Sequence, residues 1–296
     1  MDHSTALEVS TPDTTIYLHK IGTGPALLLL HGFPETHLMW QDIAPLLAKD
    51  FTVICADLRG YGCSGCPPSD PNYTPYTKRA MANDMVAVME ELGFSRFFIA
   101  GHDRGGRVAY RLALDHPKCV ERLVVLDIVP GVEAWERADK SFATAFWPWT
   151  FLSQPAPLPE QLIAGAPGAI IDDALRGWGT PAATFSDEVR EAYIEQFCDP
   201  AHVHAICEEY RAAATLDIEH DKEDRKNNRR ITCPVLALWS TGGPLDTWYN
   251  AEGGPLGLWR KWADNVQGRA MKGGHFFPEE APEEAANAFR QFFTND

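Results

Sequence analysis

Short, continuously apolar runs recur along this chain and alternate with amphipathic helical stretches. No other feature narrows its possible folds so far. Strands are read at residues 15–20, 26–31, 52–57, 97–101, 123–127, 234–239 and 267–271, with helices between them, as at 79–92 and 105–115. Several of the runs, such as Ala26–Leu30 (ALLLL), have no polar position at all. A strand apolar at every position has both faces covered, which is the condition of a parallel sheet. The alternation therefore predicts an α/β fold, a mostly parallel sheet covered by helices on both sides.

Between about residues 131 and 225 the alternation stops. That stretch is rich in Ala, Glu, Trp and Pro, shows helical patches at 187–197 and 202–214, and has no convincing strand. The pattern resumes at Cys233. The expected organisation is a core in two parts, 1–130 and 226–296, with a helical insertion at 131–225. Ligands of open α/β sheets bind beyond the carboxyl ends of the strands, so an insertion there would roof the site. The charge run from Glu219 to Arg230 reads as a solvated link back to the core.

Charge and composition exclude some classes of partner. Asp and Glu number 41 against 26 Lys and Arg, a net charge of -15, which argues against coating a nucleic acid. The longest aliphatic stretch is far shorter than the roughly 20 residues that span a bilayer, so no membrane partner is expected. The first residues are polar and acidic, without the basic-then-apolar order of a signal peptide. Seven cysteines, odd in number and scattered, suit a reducing compartment. A cytoplasmic location is expected. Cys63 and Cys66 form a C-x-x-C pair, but no second pair follows at zinc-ribbon spacing, and no metal is assigned there.

Three motifs carry chemistry. Gly101-His102-Asp103-Arg104-Gly105-Gly106 follows an apolar strand and opens a helix. This is the context of a nucleophile elbow, with Asp103 where serine often stands. A carboxylate attacking a saturated carbon forms an alkyl ester of the enzyme, which water then hydrolyses. The residue type points to haloalkanes, halo acids or epoxides and away from acyl transfer. His31-Gly32-Phe33-Pro34, directly after a strand, can aim a backbone N–H at the nucleophile, and with the Arg104 N–H would make an oxyanion hole. The His31 side chain reads as structural. Gly273-Gly274-His275 follows the last strand, and His275 would take a proton from the attacking water. The acid that orients it is either Asp127, at a strand end, or Asp246, in a loop. His202 and His204 read as surface or packing residues.

Arg104 and Arg107 lie three apart on the helix that opens at the elbow and can share a face. Unless internal carboxylates claim them, two guanidinium forks beside a nucleophile suit a short carboxylate substrate, such as a 2-halo acid.

With these motifs in place, the chain resembles the fluoroacetate (haloacetate) dehalogenases of the α/β-hydrolase fold over nearly its whole length. The resemblance rests on HGFPE at 31–35, DLRGYGCSG at 57–65, GHDRGGRV at 101–108, LDIVP at 126–130, QPAPLPE at 154–160, EEYRAAATLDIEHD at 208–221 and GGHFFPEEAPEE at 273–284. It implies that Asp103 is the nucleophile, His275 the base and Asp127 its partner. It further implies that Arg104 and Arg107 bind the carboxylate, and that Phe33 lines the pocket and supplies an oxyanion-hole amide. In the helical cap, Trp149 and Tyr210 match halide-binding residues. A homodimer is implied, and no cofactor or metal. The family's Trp-His-Trp string reads Trp147-Pro148-Trp149 here. Proline has no side-chain donor and no N–H, so the resemblance implies haloacetate hydrolysis with chloride or bromide favoured over fluoride. The alternative is an epoxide hydrolase, which shares the Asp/His/Asp set and would use cap tyrosines such as Tyr210 and Tyr193. Arg104, where that family often has Trp, counts against it.

Overall fold

The structure is a computed structural model and describes residues 4–294. Eight strands form one sheet: β1 Thr5–Ser10, β2 Thr15–Ile21, β3 Ala26–Leu30, β4 Thr52–Ala56, β5 Phe97–His102, β6 Val120–Leu126, β7 Val235–Ser240 and β8 Val266–Met271. Their order is β1-β2-β4-β3-β5-β6-β7-β8. The pairings of β2 with β1 and with β4 are antiparallel, and all the others are parallel. Every residue of β3, β4 and β7 is buried, as continuous apolar runs require. The seven strands read from the sequence are present, each to within a few residues. The eighth, β1, is missing from that reading. Its sequence, TALEVS, lies mostly exposed at the edge of the sheet, where no apolar run is demanded.

The chain leaves β3 for β4 and then crosses back to β5 on the other side of β3. The strand order therefore reverses between β3 and β5, and the crevice beyond their carboxyl ends is where such sheets bind ligands. The turn after β3 carries Gly32 and Phe33, and β5 runs into Asp103.

Helices cover both faces. On one face the helix Asp103–Asp115 is buried along almost its whole length and lies beside Lys78–Glu91. Thr77 caps the latter by accepting from the Ala80 N–H at 3.2 Å. On the other face the helix Pro282–Thr294 buries Phe289, Phe292 and Phe293.

Between β6 and β7 the described residues hold helices and no strand. Ser186 and Asp199 start two of them, accepting from Val189 N at 3.3 Å and Ala201 N at 2.8 Å, which is ordinary N-capping. One expectation fails here. The first part of the charge run at 219–230 is not a solvated link but the end of a helix, Leu216–Lys226, whose Asp217, Asp221 and Asp224 are buried. Asp221 accepts from Arg111 Nη2 at 2.7 Å and from the Tyr110 hydroxyl at 3.0 Å. Asp224 pairs with Arg111 Nη1, and Asp217 accepts from the Lys78 N–H at 2.9 Å. The acids are buried because cations more than 100 positions earlier meet them. Removing one member of such a pair costs about 3–5 kcal/mol.

Candidate active site

Asp103 begins its helix with φ at +42°. Left-handed backbone at a residue with a Cβ carries about 1–3 kcal/mol of strain and holds the side chain in one direction. The surrounding glycines allow it. A Cβ on Gly105 would meet the His31 carbonyl oxygen at 2.3 Å, and one on Gly32 would meet the Asp103 Cβ at 2.6 Å. Glycine at both places lets the β3 turn touch the nucleophile turn. As a result the Phe33 N–H donates to Asp103 Oδ1 at 3.1 Å. Burial pushes the Asp103 carboxyl upward, but His275, then Arg104, His102 and Arg107, outweigh it and hold the acid below its usual range.

His275 follows β8. Its N–H donates to the Trp178 carbonyl at 2.9 Å, and its Nδ1 meets Asp127 Oδ2 at 2.6 Å. The other oxygen of Asp127 accepts from the Ser240 N–H at 2.8 Å, so both carboxylate oxygens are fixed. Asp246 serves its own loop, accepting from Trp239 Nε1 at 2.7 Å and from the Gly242 N–H at 2.9 Å. Of the two acids left open by spacing, Asp127 is the one that reaches the histidine. With Nδ1–H held by Asp127, Nε2 is the free base position. His275 and Asp103 both line a small enclosed cavity together with Phe33, Asp127, Arg107 and Tyr210.

His31 is buried, and burial lowers its pKa to about 4. Its Nδ1–H donates to the Gly32 carbonyl at 2.9 Å and its Nε2 accepts from the Leu58 N–H at 3.0 Å. It is a neutral strut for the turn. His202 bonds Gly60 and His204 bonds Glu160, both away from the cavity.

The two arginines differ. Arg104 is fully buried and spends Nε and Nη2 on Glu209, with both Nε contacts at 2.9 Å. Its Nη1 has no protein partner, and its guanidinium lies 4.0 Å over the Tyr210 ring. Arg104 does not line the cavity; Arg107 does. Arg107 donates from Nη1 to the Val129 carbonyl at 3.0 Å, leaves Nε unpartnered and lies 4.4 Å over Trp149. The expectation of two equally free forks is thus corrected: an internal Glu claims one edge of Arg104.

Pro148 and Trp149 line the cavity, with Phe142, Phe146, Trp178 and Tyr249. Tyr193 does not. Its hydroxyl donates to Glu279 Oε1 at 3.2 Å. Sequence reasoning missed Trp178 and Tyr249, which belong to no recognisable string. It also missed a buried acid behind the site. Glu35 accepts from the Gly32 N–H at 3.1 Å and meets His102 Nδ1 at 3.0 Å. His102 Nε2 donates to the His275 carbonyl at 2.9 Å, so the ring links Glu35 to the histidine loop. Burial raises Glu35 to about 7, and burial and Glu35 together push its neighbour Glu279 up as well. The HGFPE and GHD strings held both Glu35 and His102, and their pairing was the signal available.

Comparison with known proteins fits this architecture. Residues 25–168 match the model of the alpha/beta hydrolase fold. A fluoroacetate dehalogenase from Burkholderia sp is 43% identical over 97% of this chain and 93% of its own. A soluble epoxide hydrolase from Corynebacterium sp. (strain C12) is 31% identical over 92% of this chain and 91% of its own. The solved chain ALR0039 from Nostoc sp PCC 7120 is 47% identical, superposes with a TM-score of 0.95 and covers 99% of each chain. The chain therefore belongs to the alpha/beta hydrolase fold family, alongside the fluoroacetate dehalogenases and close to the epoxide hydrolases.

Proposed function

We propose that this hydrolase removes halide from short 2-halo carboxylates, converting a haloacetate to glycolate through an ester on Asp103. The observation that carries the reading is the unpartnered guanidinium N–H of Arg107 in the same cavity as Asp103 and His275. An anionic group seated there sets its α-carbon beside the nucleophile. Asp103 attacks that carbon, the carbon–halogen bond breaks with its electron pair, and halide departs. Oδ1 already accepts the Phe33 N–H, so Oδ2 is the attacking atom.

In the second step His275 Nε2 takes a proton from water as the water oxygen attacks the ester carbonyl carbon. The Phe33 N–H steadies the oxyanion, and Asp127 steadies the imidazolium. Collapse breaks the bond to the glycolate oxygen, which takes the proton back from His275, and the new Asp103 carboxyl loses its proton to solvent, restoring the carboxylate. The helices between β6 and β7 act as a cap that keeps bulk water out.

Fluoride leaves poorly without hydrogen bonds, and Pro148 offers none. Chloro- and bromoacetate are the favoured substrates in this reading. The epoxide hydrolase alternative is weakened because Tyr193 is turned to Glu279. Ion release from fluoro-, chloro- and bromoacetate, with styrene oxide as control, tests both. Halide with glycolate supports the dehalogenase. Diol without halide overturns it.

A further inference from the structure

Glu209 lies on the helix Pro200–Ala214 of the insertion, is fully buried and meets residues of two other helices and one loop. It accepts side-on from Arg104, pairs with Lys78 Nζ, and lies 3.5 Å from the Tyr61 hydroxyl. We propose, building on the dehalogenase reading, that Glu209 is a positioning residue that fixes the Arg104 fork and sets the charge of substrate the site accepts.

The argument is one of donors and of charge. A guanidinium has five N–H groups in a rigid fork. Glu209 takes the Nε and Nη2 edge of Arg104. The Nη1 end remains, buried and without a protein partner. Tyr210 below the plane, at 4.0 Å, removes the remaining rotational freedom. Arg104 stands behind the cavity wall, against the ring of Tyr210 that does line it, so the placement of that ring is decided by a side chain that never meets the substrate.

Glu209 also neutralises Arg104. Lys78 Nζ faces a second buried carboxylate, Asp217 Oδ2, at 3.7 Å, so its positive charge is matched and adds none to the site. Arg107 has only a carbonyl and an aromatic face as partners. One net cation is left to answer one carboxylate. A dianion would meet too little positive charge.

Glu209→Gln tests this, because it keeps the shape and removes the charge. The expected result with chloroacetate is a fall in kcat of about 10- to 100-fold, since a misplacement of ~1 Å costs on the order of 100-fold, with KM moving much less. Inhibition by malonate, a dianion, should tighten relative to glycolate, a monoanion. Glu209→Asp keeps the charge and shortens the reach, so it should lose kcat without changing the malonate-to-glycolate ratio, and it stands in if the Gln variant does not fold. A kcat within about twofold of wild type, or an unchanged inhibitor ratio in Glu209→Gln, overturns the proposal. If wild type releases no halide, the dehalogenase reading falls. Calorimetric binding of malonate and glycolate to Asp103→Asn, with and without Glu209→Gln, then still decides the role of Glu209.

Discussion

On the proposed reading, replacing Pro148 by histidine should raise the release of fluoride relative to chloride. Pro148 is the second residue of the helix Trp147–Phe151, where a backbone N–H has no intrahelical acceptor in any case. Histidine therefore disturbs no helical bond, and the Pro148 carbonyl bond from Leu152 N, at 2.8 Å, is kept. The position lines the cavity beside Trp149, so an imidazole there can donate to a departing halide. One hydrogen bond to a charged group contributes about 1.5–3 kcal/mol, or roughly 10- to 150-fold in rate. Fluoride, the most basic of the halides, gains most, and chloride gains little. The assay is the ratio of fluoride to chloride released from matched fluoro- and chloroacetate. Crowding by the larger ring slows both substrates and cancels in the ratio. A ratio that stays flat or falls refutes the argument that Pro148 limits defluorination.

Asp103→Ala should abolish turnover, read as halide release, because the other carboxylate in the cavity, Asp127, has both oxygens held by His275 and the Ser240 N–H. His275→Asn should complete the first step and stop, visible as a mass increase of the intact protein after incubation with bromoacetate. Asp127→Asn should lower turnover by about 10⁴-fold, the loss known when a triad acid becomes an amide, while Asp246→Asn stays near wild type in the same assay. Two groups govern pH dependence with opposite signs. Asp103 is held low, with His275 first among the causes that lower it, so single-turnover halide release should survive to lower pH in wild type than in His275→Asn, which lacks that charge. Glu35 is raised by burial to about 7, so the folded state holds its proton more tightly than the unfolded chain does. Stability from this group is full below pH ~4.5 and declines towards 7. Glu35→Gln should flatten the dependence of Tm on pH across that window.

The sheet and the chemical motifs were legible because they are local. A continuous apolar run states its own burial, and an elbow needs its glycines within a few residues of Asp103. What escaped the sequence was pairing at a distance. Arg104 looks free until Glu209 arrives, 105 positions later. The acids at 221 and 224 look solvated until Tyr110 and Arg111 meet them. Strand β1 escaped for a different reason: a half-exposed edge leaves too little apolar pattern to read. Asp127 and Asp246 could not be told apart by spacing alone, because both follow a strand and only the spatial path of the chain separates them.

The buried ion pairs between Leu216–Lys226 and the nucleophile helix have a consequence for traffic. On that flank the roof is bolted to the floor by ionic contacts that open only by exposing unpaired charge, which is slow and unfavourable. Phe142, Phe146, Trp178 and Tyr249 also line the cavity, and their rings can turn aside without breaking an ion pair. Substrate in and halide out would then pass on the aromatic side, through rotation of a few rings rather than a swing of the whole lid. Turnover limited in this way would respond to ring size at Phe146 more than to the ionic strength of the medium.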